Sequence, residues 1–131
     1  VEALPRARRQ VDQLLGLAGA EGQVSYVEDA REELLFADLA EAAAGLPALR
    51  EGGPVPRIAA HDREHGTAYV PTLRAWFDAC GDVKLAAAGL HVHANTFRYR
   101  LSRAAELFGL RLDQPDQRLL VHLQLRLADF R

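Results

Sequence analysis

The chain has 131 residues, about half of them apolar, and a formal net charge of −2. This length suits one domain, or one domain with part of a neighbour, and the charge by itself argues against a nucleic-acid partner. No segment approaches the ~20 consecutive apolar residues that a membrane helix needs, and the start lacks a signal-peptide layout. Because Cys80 is the single cysteine, an internal disulfide bond is excluded. We therefore expect a cytoplasmic protein that makes no contact with a membrane.

The first fifty residues predict two helices. One covers residues 4–19 and the other opens at Glu28-Asp29, because apolar residues recur in both at helical spacing. These are Val11, Leu14, Leu15 and Ala18 in the first helix, and Leu34, Leu35, Leu39, Ala42 and Ala43 in the second. A short extended piece at 24–27 separates the two. The chain contains no methionine, so we expect it to be a fragment of a longer protein.

The stretch from Arg50 to Pro56, REGGPVP, is the clearest linker in the chain. Glycine and proline are the strongest local breaks in regular structure. We therefore divide the chain into an N-terminal helical segment, residues 1–53, and a second unit, residues 54–131.

Two helices are expected directly after this linker. The first covers about 56–65 and is ended by Gly66. The second reaches about residue 79 and places Trp76 in the core. Thr67 is a plausible N-cap for it, but Pro71 would then remove a backbone donor in the fourth helical position. A start closer to Pro71 is the alternative. Cys80 is interpreted as a packed helix residue.

Neither a metal site nor a catalytic site is predicted. His61 and His65 are four residues apart and could share a helical face, but a zinc site needs three or four converging ligands, and no third ligand is evident. Motifs for a nucleophile or for a phosphate-binding glycine loop are absent from the sequence. We therefore expect no cofactor and no enzymatic activity.

Residues 81–109 carry the pattern of a helix-turn-helix. Asp82 is a good N-cap for a short helix over about 83–88, and the alanines there would let a second helix cross closely. The turn is Gly89-Leu90-His91-Val92, in which Leu90 and Val92 fix the angle between the helices. His91 takes a position where glycine is usual, and histidine is one of the residues that tolerate the left-handed conformation. The second helix opens at His93 or Ala94 and runs to about Phe108, where Gly109 can end it.

The two faces of the second helix differ in chemistry. At about 100° per residue, one buried stripe is formed by Phe97, Leu101, Ala104 and Phe108. The opposite face and its flanks carry Asn95, Thr96, Arg98, Tyr99, Ser102, Arg103 and Glu106, with Arg100 at the edge of the buried stripe. Amide, hydroxyl and guanidinium groups of this kind pair with base edges and phosphates. The pattern thus favours a recognition helix in the major groove of DNA.

Charge is distributed unevenly along the chain, in a way that favours this interpretation. Residues 1–50 hold five basic and nine acidic side chains, whereas residues 82–131 hold eight and five, a net charge of +3. A mild positive patch can bind a specific DNA site, although electrostatic steering would be modest. The last helix, from Asp116 to about Phe130, is apolar on more than one face. It is therefore expected to lie centrally or to pack against another subunit.

The C-terminal half resembles the DNA-binding domain of the PucR-type bacterial transcription regulators, which include purine-catabolism and sugar-diacid regulators. The family hallmark is an L-H-V-H-x-N-T-L/F-R-Y-R-L run, followed by an E-L-T/F-G-L/I element and a later P-x-x-R-L. The matching residues here are Leu90-His91-Val92-His93, Asn95-Thr96-Phe97-Arg98-Tyr99-Arg100-Leu101, Glu106-Leu107-Phe108-Gly109-Leu110 and Pro115 with Arg118-Leu119. The resemblance covers about the last seventy residues well and the first fifty only loosely.

This resemblance implies an all-α, multi-helix domain that contains a Fis-like helix-turn-helix. It implies a double-stranded DNA partner, a homodimer or higher homo-oligomer on paired half-sites, and a small-molecule effector bound by a region missing from this chain. The first helix could then be the tail of an upstream sensory domain. The residues expected at the DNA are Lys84, His91, His93, Asn95, Thr96, Arg98, Tyr99, Arg100 and Arg103. Of these, Lys84 and Arg103 would contact phosphates, and Arg100 either a phosphate or an internal salt-bridge partner.

A different class of function stays open at this point. The acidic first half and the apolar last helix also suit a helical oligomerisation or protein-interaction module that does not bind DNA. Salt dependence separates the two classes, because DNA binding weakens steeply as salt rises, whereas apolar self-association does not.

Overall fold

The computed structural model describes residues 31–130, and the predicted all-α class is confirmed there. The helices of this part are α1 (Arg31–Ala44), α2 (Pro47–Glu51), α3 (Pro54–His65), α4 (Tyr69–Asp78), α5 (Val83–Gly89), α6 (Ala94–Phe108) and α7 (Pro115–Leu127), followed by a 3₁₀ turn at Ala128–Phe130. The helix predicted over 4–19 and the extended piece at 24–27 lie outside the described residues. No helix in the described part has the length and apolar character needed to cross a bilayer.

The main core lies between α3, α4, α6 and α7. Ile58, Leu73, Ala104 and Val121 come one from each of these helices, and none has any exposed surface. The last helix thus packs centrally within the chain itself, which is one of the two expected outcomes. Its far side is not buried, because Leu119 remains 67% exposed.

A second, smaller core joins α5 to α6. Its buried members are Ala86 and Ala87 of α5 and Phe97 of α6. Trp76 and Leu101 pack against both this cluster and the main core. Through these two side chains, the orientation of α5 and α6 is tied to the rest of the fold.

The start of α4 lies closer to Pro71 than a cap at Thr67 would place it, as the alternative prediction states. The helix begins at Tyr69, after Ala68, which makes no side-chain cap. Asp62 of α3 caps it instead, because its carboxylate accepts from the backbone N–H groups of Tyr69 (3.0 Å) and Val70 (2.8 Å). Thr67 is therefore not the N-cap; its hydroxyl donates to the same carboxylate. A carboxylate at this end also complements the helix dipole.

The predicted linker is mostly helical. Arg50 and Glu51 end α2, and α3 begins already at Pro54. The buried side chain of Gln124, in α7, holds this junction: its Nε2 donates to Leu49 O (2.6 Å) and its Oε1 accepts from Val55 N (3.3 Å). The glycine and proline residues therefore interrupt regular structure only at Gly52 and Gly53, between two helices. The division of the chain at 53/54 into two domains stays a prediction.

The structure corrects the interpretation of Cys80, and it places His122 as the packed, half-buried histidine that the apolar pattern of the last helix indicates. Cys80 is exposed in a turn after α4, with φ of +51°, so its interpretation as a packed helix residue was wrong. His122 stacks on Phe77 with ring centroids 4.4 Å apart. Desolvation lowers the pKa of His122 below its usual 6.5; Arg126 and Arg118 act in the same direction, and Asp78 opposes them.

Replacing Asp62 with alanine is expected to lower the free energy of unfolding by about 1–2 kcal/mol, because two backbone donors at the start of α4 lose their acceptor. Urea denaturation followed by circular dichroism measures this change. Glu64→Ala, an exposed carboxylate in the same helix, is the matched control and should change stability much less. Equal losses for the two variants would contradict the capping role.

Stability should fall as the pH drops below about 6.5, and His122 should account for part of that fall. Its pKa is lowered in the folded state, so the unfolded chain binds the proton more readily and acid favours unfolding. The loss begins near the unfolded-state value and stops below the folded-state value. His122→Phe keeps the stacking and removes the titration. Its unfolding free energy between pH 8 and pH 5 should be flatter than that of the wild type, and parallel curves would refute this role.

Candidate nucleic-acid interface

The first helix of the motif begins at the residue that the sequence predicted. Asp82 is the N-cap of α5, and its Oδ1 accepts from Lys84 N (2.8 Å) and Leu85 N (3.0 Å). The two fully buried residues of this helix are both alanines, Ala86 and Ala87, each 2% exposed. Small side chains let α6 approach closely, as the alanine-rich sequence predicts.

The turn between α5 and α6 contains the left-handed residue expected at His91, with φ of +53°. The N–H groups of His91 and Val92 donate back to Ala88 O (3.1 Å) and Ala87 O (3.0 Å), which satisfies carbonyls at the end of α5. Leu90 and Val92 pack against the smaller core, as predicted for the residues that fix the angle between the two helices.

The second helix of the motif also has the predicted ends. His93 is the N-cap of α6, and its Nδ1 accepts from the backbone N–H of Asn95 at 3.1 Å. Gly109 ends the helix in the left-handed conformation, with φ of +65°. The predicted buried stripe is present: Phe97 and Ala104 have no exposed surface, and Leu101 and Phe108 are half-buried.

The outward face of α6 carries most of the side chains predicted to contact DNA. Exposed residues of that set are Lys84, His91, His93, Asn95, Thr96, Arg98, Tyr99 and Arg103, and only Arg100 is half-buried. Tyr99 is 67% exposed although it is aromatic. A row of hydrogen-bonding side chains on one exposed helical face, opposite a fully buried phenylalanine, is the arrangement that reads base edges in a groove.

Two of these side chains are hydrogen-bonded to each other. Arg98 Nη1 donates to Asn95 Oδ1 at 3.0 Å. The sequence predicts both residues at the DNA but does not predict their pairing. The signal that could have found it is their spacing, because residues three apart lie side by side on a helix.

The two arginines further along α6 have different partners. Arg103 forms an ion pair with Glu106, with 3.3 Å between Nη1 and Oε2. Arg100 takes part in no ion pair within residues 31–130. Of its two expected roles, the internal salt bridge is thus not observed in the described structure.

The histidine pair of α3 is arranged differently from a metal site. The rings of His61 and His65 stack with centroids 4.2 Å apart. His61 Nδ1 contacts Thr67 Oγ1 at 3.1 Å, and His65 Nδ1 contacts His61 O at 3.2 Å. Among the described residues, no group of three or more histidine, cysteine, aspartate or glutamate side chains could hold a metal ion.

A short capped helix, a turn with a left-handed residue, and a longer helix with a polar, arginine-bearing face together define a helix-turn-helix DNA-binding domain. This is the class of domain found in transcription regulators. Residues 69–127 match the PucR C-terminal helix-turn-helix domain, so this part of the chain is similar to that family. The resemblance inferred from the sequence is thereby confirmed.

Several curated proteins are similar to this chain. The DNA-binding transcriptional activator AdeR of Bacillus subtilis is 30% identical over 71 residues, which cover 54% of this chain and 17% of AdeR. The carbohydrate diacid regulator of Escherichia coli is 42% identical over 60 residues, 46% of this chain and 16% of the regulator. The "uncharacterized protein in pkwA 5′ region" of Thermomonospora curvata is 37% identical over 120 residues, 89% of this chain and 62% of that protein.

The chain therefore spans about one sixth of the length of AdeR and of the carbohydrate diacid regulator. No solved structure matches the chain significantly.

Substitutions at His91 test the geometry of the turn independently of DNA. A left-handed conformation costs a residue with a Cβ atom about 1–2 kcal/mol, and a β-branched side chain fits it worst. We expect His91→Val to lower the free energy of unfolding by at least about 1 kcal/mol, and His91→Gly to leave it unchanged or raise it. Urea denaturation compares the two variants. If the valine and glycine variants were equally stable, the turn would not require this conformation.

Proposed function

We propose that this chain is the DNA-binding part of a bacterial transcription regulator and that it inserts α6 into the major groove of a specific operator. The observation that carries the proposal is the exposed polar face of α6. The complete burial of Phe97 fixes which side of the helix faces solvent. That burial leaves Asn95 and Tyr99 on the opposite side of the helix and Arg98 on its flank, and all three side chains are exposed.

The exposed side chains have two roles in this proposal, contact with base edges and contact with phosphates. Base readout falls to the residues of the first two turns and the cap, namely His93, Asn95, Thr96, Arg98 and Tyr99. Lys84 and Arg103 contact phosphates on either side, with His91 at the turn between the two helices. Arg100 joins the phosphate contacts, since its guanidinium has no carboxylate partner in the described part of the chain. The amino end of α6 adds backbone N–H groups and a positive dipole end, both suited to a phosphate oxygen.

Electrostatics support a modest rather than a strong attraction to DNA. The net charge of residues 82–131 is +3, but that of the whole chain is −2. Arg103 has to exchange Glu106 for a phosphate, and an exposed ion pair of this kind costs only about 0–1 kcal/mol to open. Specificity would therefore rest on contacts with base edges more than on the general attraction to the phosphate backbone.

The wider assembly follows from the same proposal. A regulator of this family would act as a homodimer or higher homo-oligomer on paired half-sites. The name of the carbohydrate diacid regulator supports control by a small molecule, bound by a region outside this chain. Such a regulator would work in the cytoplasm, where the bacterial chromosome lies, and would need neither a cofactor nor a catalytic site.

The first experiment is to select bound sequences from genomic DNA fragments and then to measure affinity against salt. Arg98→Ala should lose preference for the selected motif, by about 1–3 kcal/mol relative to unrelated DNA. Lys84→Ala should instead weaken binding to all sequences similarly, and it should reduce the slope of log K against log salt by about 1.

Arg50→Ala is the matched control for both variants. It removes the same charge as Arg98→Ala from α2, which packs on α1 and α7 rather than on the helix-turn-helix. A chain that selects no motif and shows no salt dependence would contradict the proposal. It would favour the interaction module instead, for which the exposed Leu119 offers a contact.

A further inference from the structure

The His93 side chain caps α6 with the single nitrogen that can accept a hydrogen bond in a neutral imidazole. A neutral imidazole has one nitrogen that accepts and one that carries a proton. Nδ1 of His93 accepts from the backbone N–H of Asn95 at 3.1 Å. The proton must then lie on Nε2, so the exposed edge of this ring presents a donor.

The oxygen of the neighbouring Asn95 amide also accepts an internal hydrogen bond. Asn95 Oδ1 accepts from Arg98 Nη1 at 3.0 Å, and both side chains are exposed on the outward face of α6. The amide nitrogen of Asn95 keeps its two N–H donors, and the guanidinium keeps its remaining donors, since a guanidinium has five in all and no acceptor. The positive charge of the guanidinium also lies beside Oδ1, the one oxygen of the Asn95 side chain that could accept from a base.

We infer that the paired side chains of Asn95 and Arg98 present donors to the DNA and therefore select guanine, with Asn95 as the residue that positions the guanidinium of Arg98. The inference rests on the proposed function, because it names the base that the same face reads. It assigns Asn95 a role different from the adenine contact that an isolated asparagine makes.

The donor and acceptor pattern of the major groove explains why guanine is favoured. Guanine offers two acceptors, N7 and O6, whereas adenine and cytosine each present an amino group that donates. An asparagine reads adenine by accepting from N6 and donating to N7 at once. Here the adenine amino group would approach an oxygen that already accepts from a cation. Repulsion between the amino group and the guanidinium therefore disfavours adenine at this step.

The remaining polar groups of this face do not discriminate between bases, so the preference for one base depends on Asn95 and Arg98. The hydroxyls of Thr96 and Tyr99 can both donate and accept, so they tolerate either kind of base edge. The pairing of Asn95 with Arg98 also restricts a long side chain before DNA arrives. An ordered donor pair loses less rotamer entropy on binding than a free arginine would.

Selection from a pool of randomised 30-base-pair duplexes tests this inference with the 131-residue chain and two variants at Asn95. The wild type should enrich a motif with guanine at the position that Arg98→Ala abolishes. Changing that guanine to adenine in a synthetic duplex should weaken binding about 5- to 150-fold. Asn95→Ala frees the guanidinium, so it should flatten the preference for guanine at this position.

Asn95→Asp separates positioning from direct contact. An aspartate still accepts from Arg98, so the preference for guanine should be retained while total affinity falls, since two donors are replaced by a negative charge. Thermal unfolding should be unchanged in both variants, because the side chain at position 95 is exposed. A structural defect would instead lower the unfolding temperature together with the affinity.

The possible failures are distinct. A motif with adenine at the Asn95-dependent position would overturn the inference and leave the proposed function standing. A guanine preference that persists in Asn95→Ala would overturn the positioning role alone. If the chain enriches no motif at any salt concentration, the proposed function itself fails, and the inference fails with it.

Discussion

The close crossing of α5 and α6 is the constraint on which the rest of the candidate site depends. Ala86 and Ala87 leave room for Phe97 to be completely buried between the helices. Side chains large enough to displace Phe97 would overpack this contact, at a typical cost of about 1–3 kcal/mol. Once Phe97 is buried, helical geometry turns the residues two positions away on either side, Asn95 and Tyr99, toward solvent.

Two side chains connect the crossing of α5 and α6 to the main core and so fix its orientation in the domain. Trp76 of α4 and Leu101 of α6 each pack against both hydrophobic clusters. Arg118 of α7 lies over the Trp76 ring, 5.0 Å from its centroid, and adds a cation–π contact. The helix-turn-helix is therefore not a hinged attachment but one end of a continuous core. Such a continuous core suits a DNA-recognition element, because base contacts require side chains held in place by a rigid support.

The amino end of α6 combines two functions that compete for the same groups. His93 must cap the helix, and Asn95 must hold Arg98, yet both belong to the set expected at the DNA. The cap uses Nδ1 and the pairing uses Oδ1, so the internal bonds consume acceptors and leave donors outward. The same two hydrogen bonds therefore stabilise the amino end of α6 and determine which polar groups its outward face presents.

The sequence by itself determined the features that depend on neighbours within about one helical turn. Asp82 as a cap, His91 in the left-handed turn, Gly109 at the end of α6 and the buried stripe with Phe97 all follow from local spacing and backbone preference. The family motif in the same stretch indicated the class of domain, a helix-turn-helix DNA-binding domain. Only the tertiary structure decided that Asp62 caps a helix other than its own, and that Gln124 joins the Leu49 and Val55 backbones. Gln124 is separated from those partners by 75 and 69 residues, and the Asp62 cap spans the turn between two helices. Such contacts depend on how whole helices pack, and no local pattern of residues records that packing.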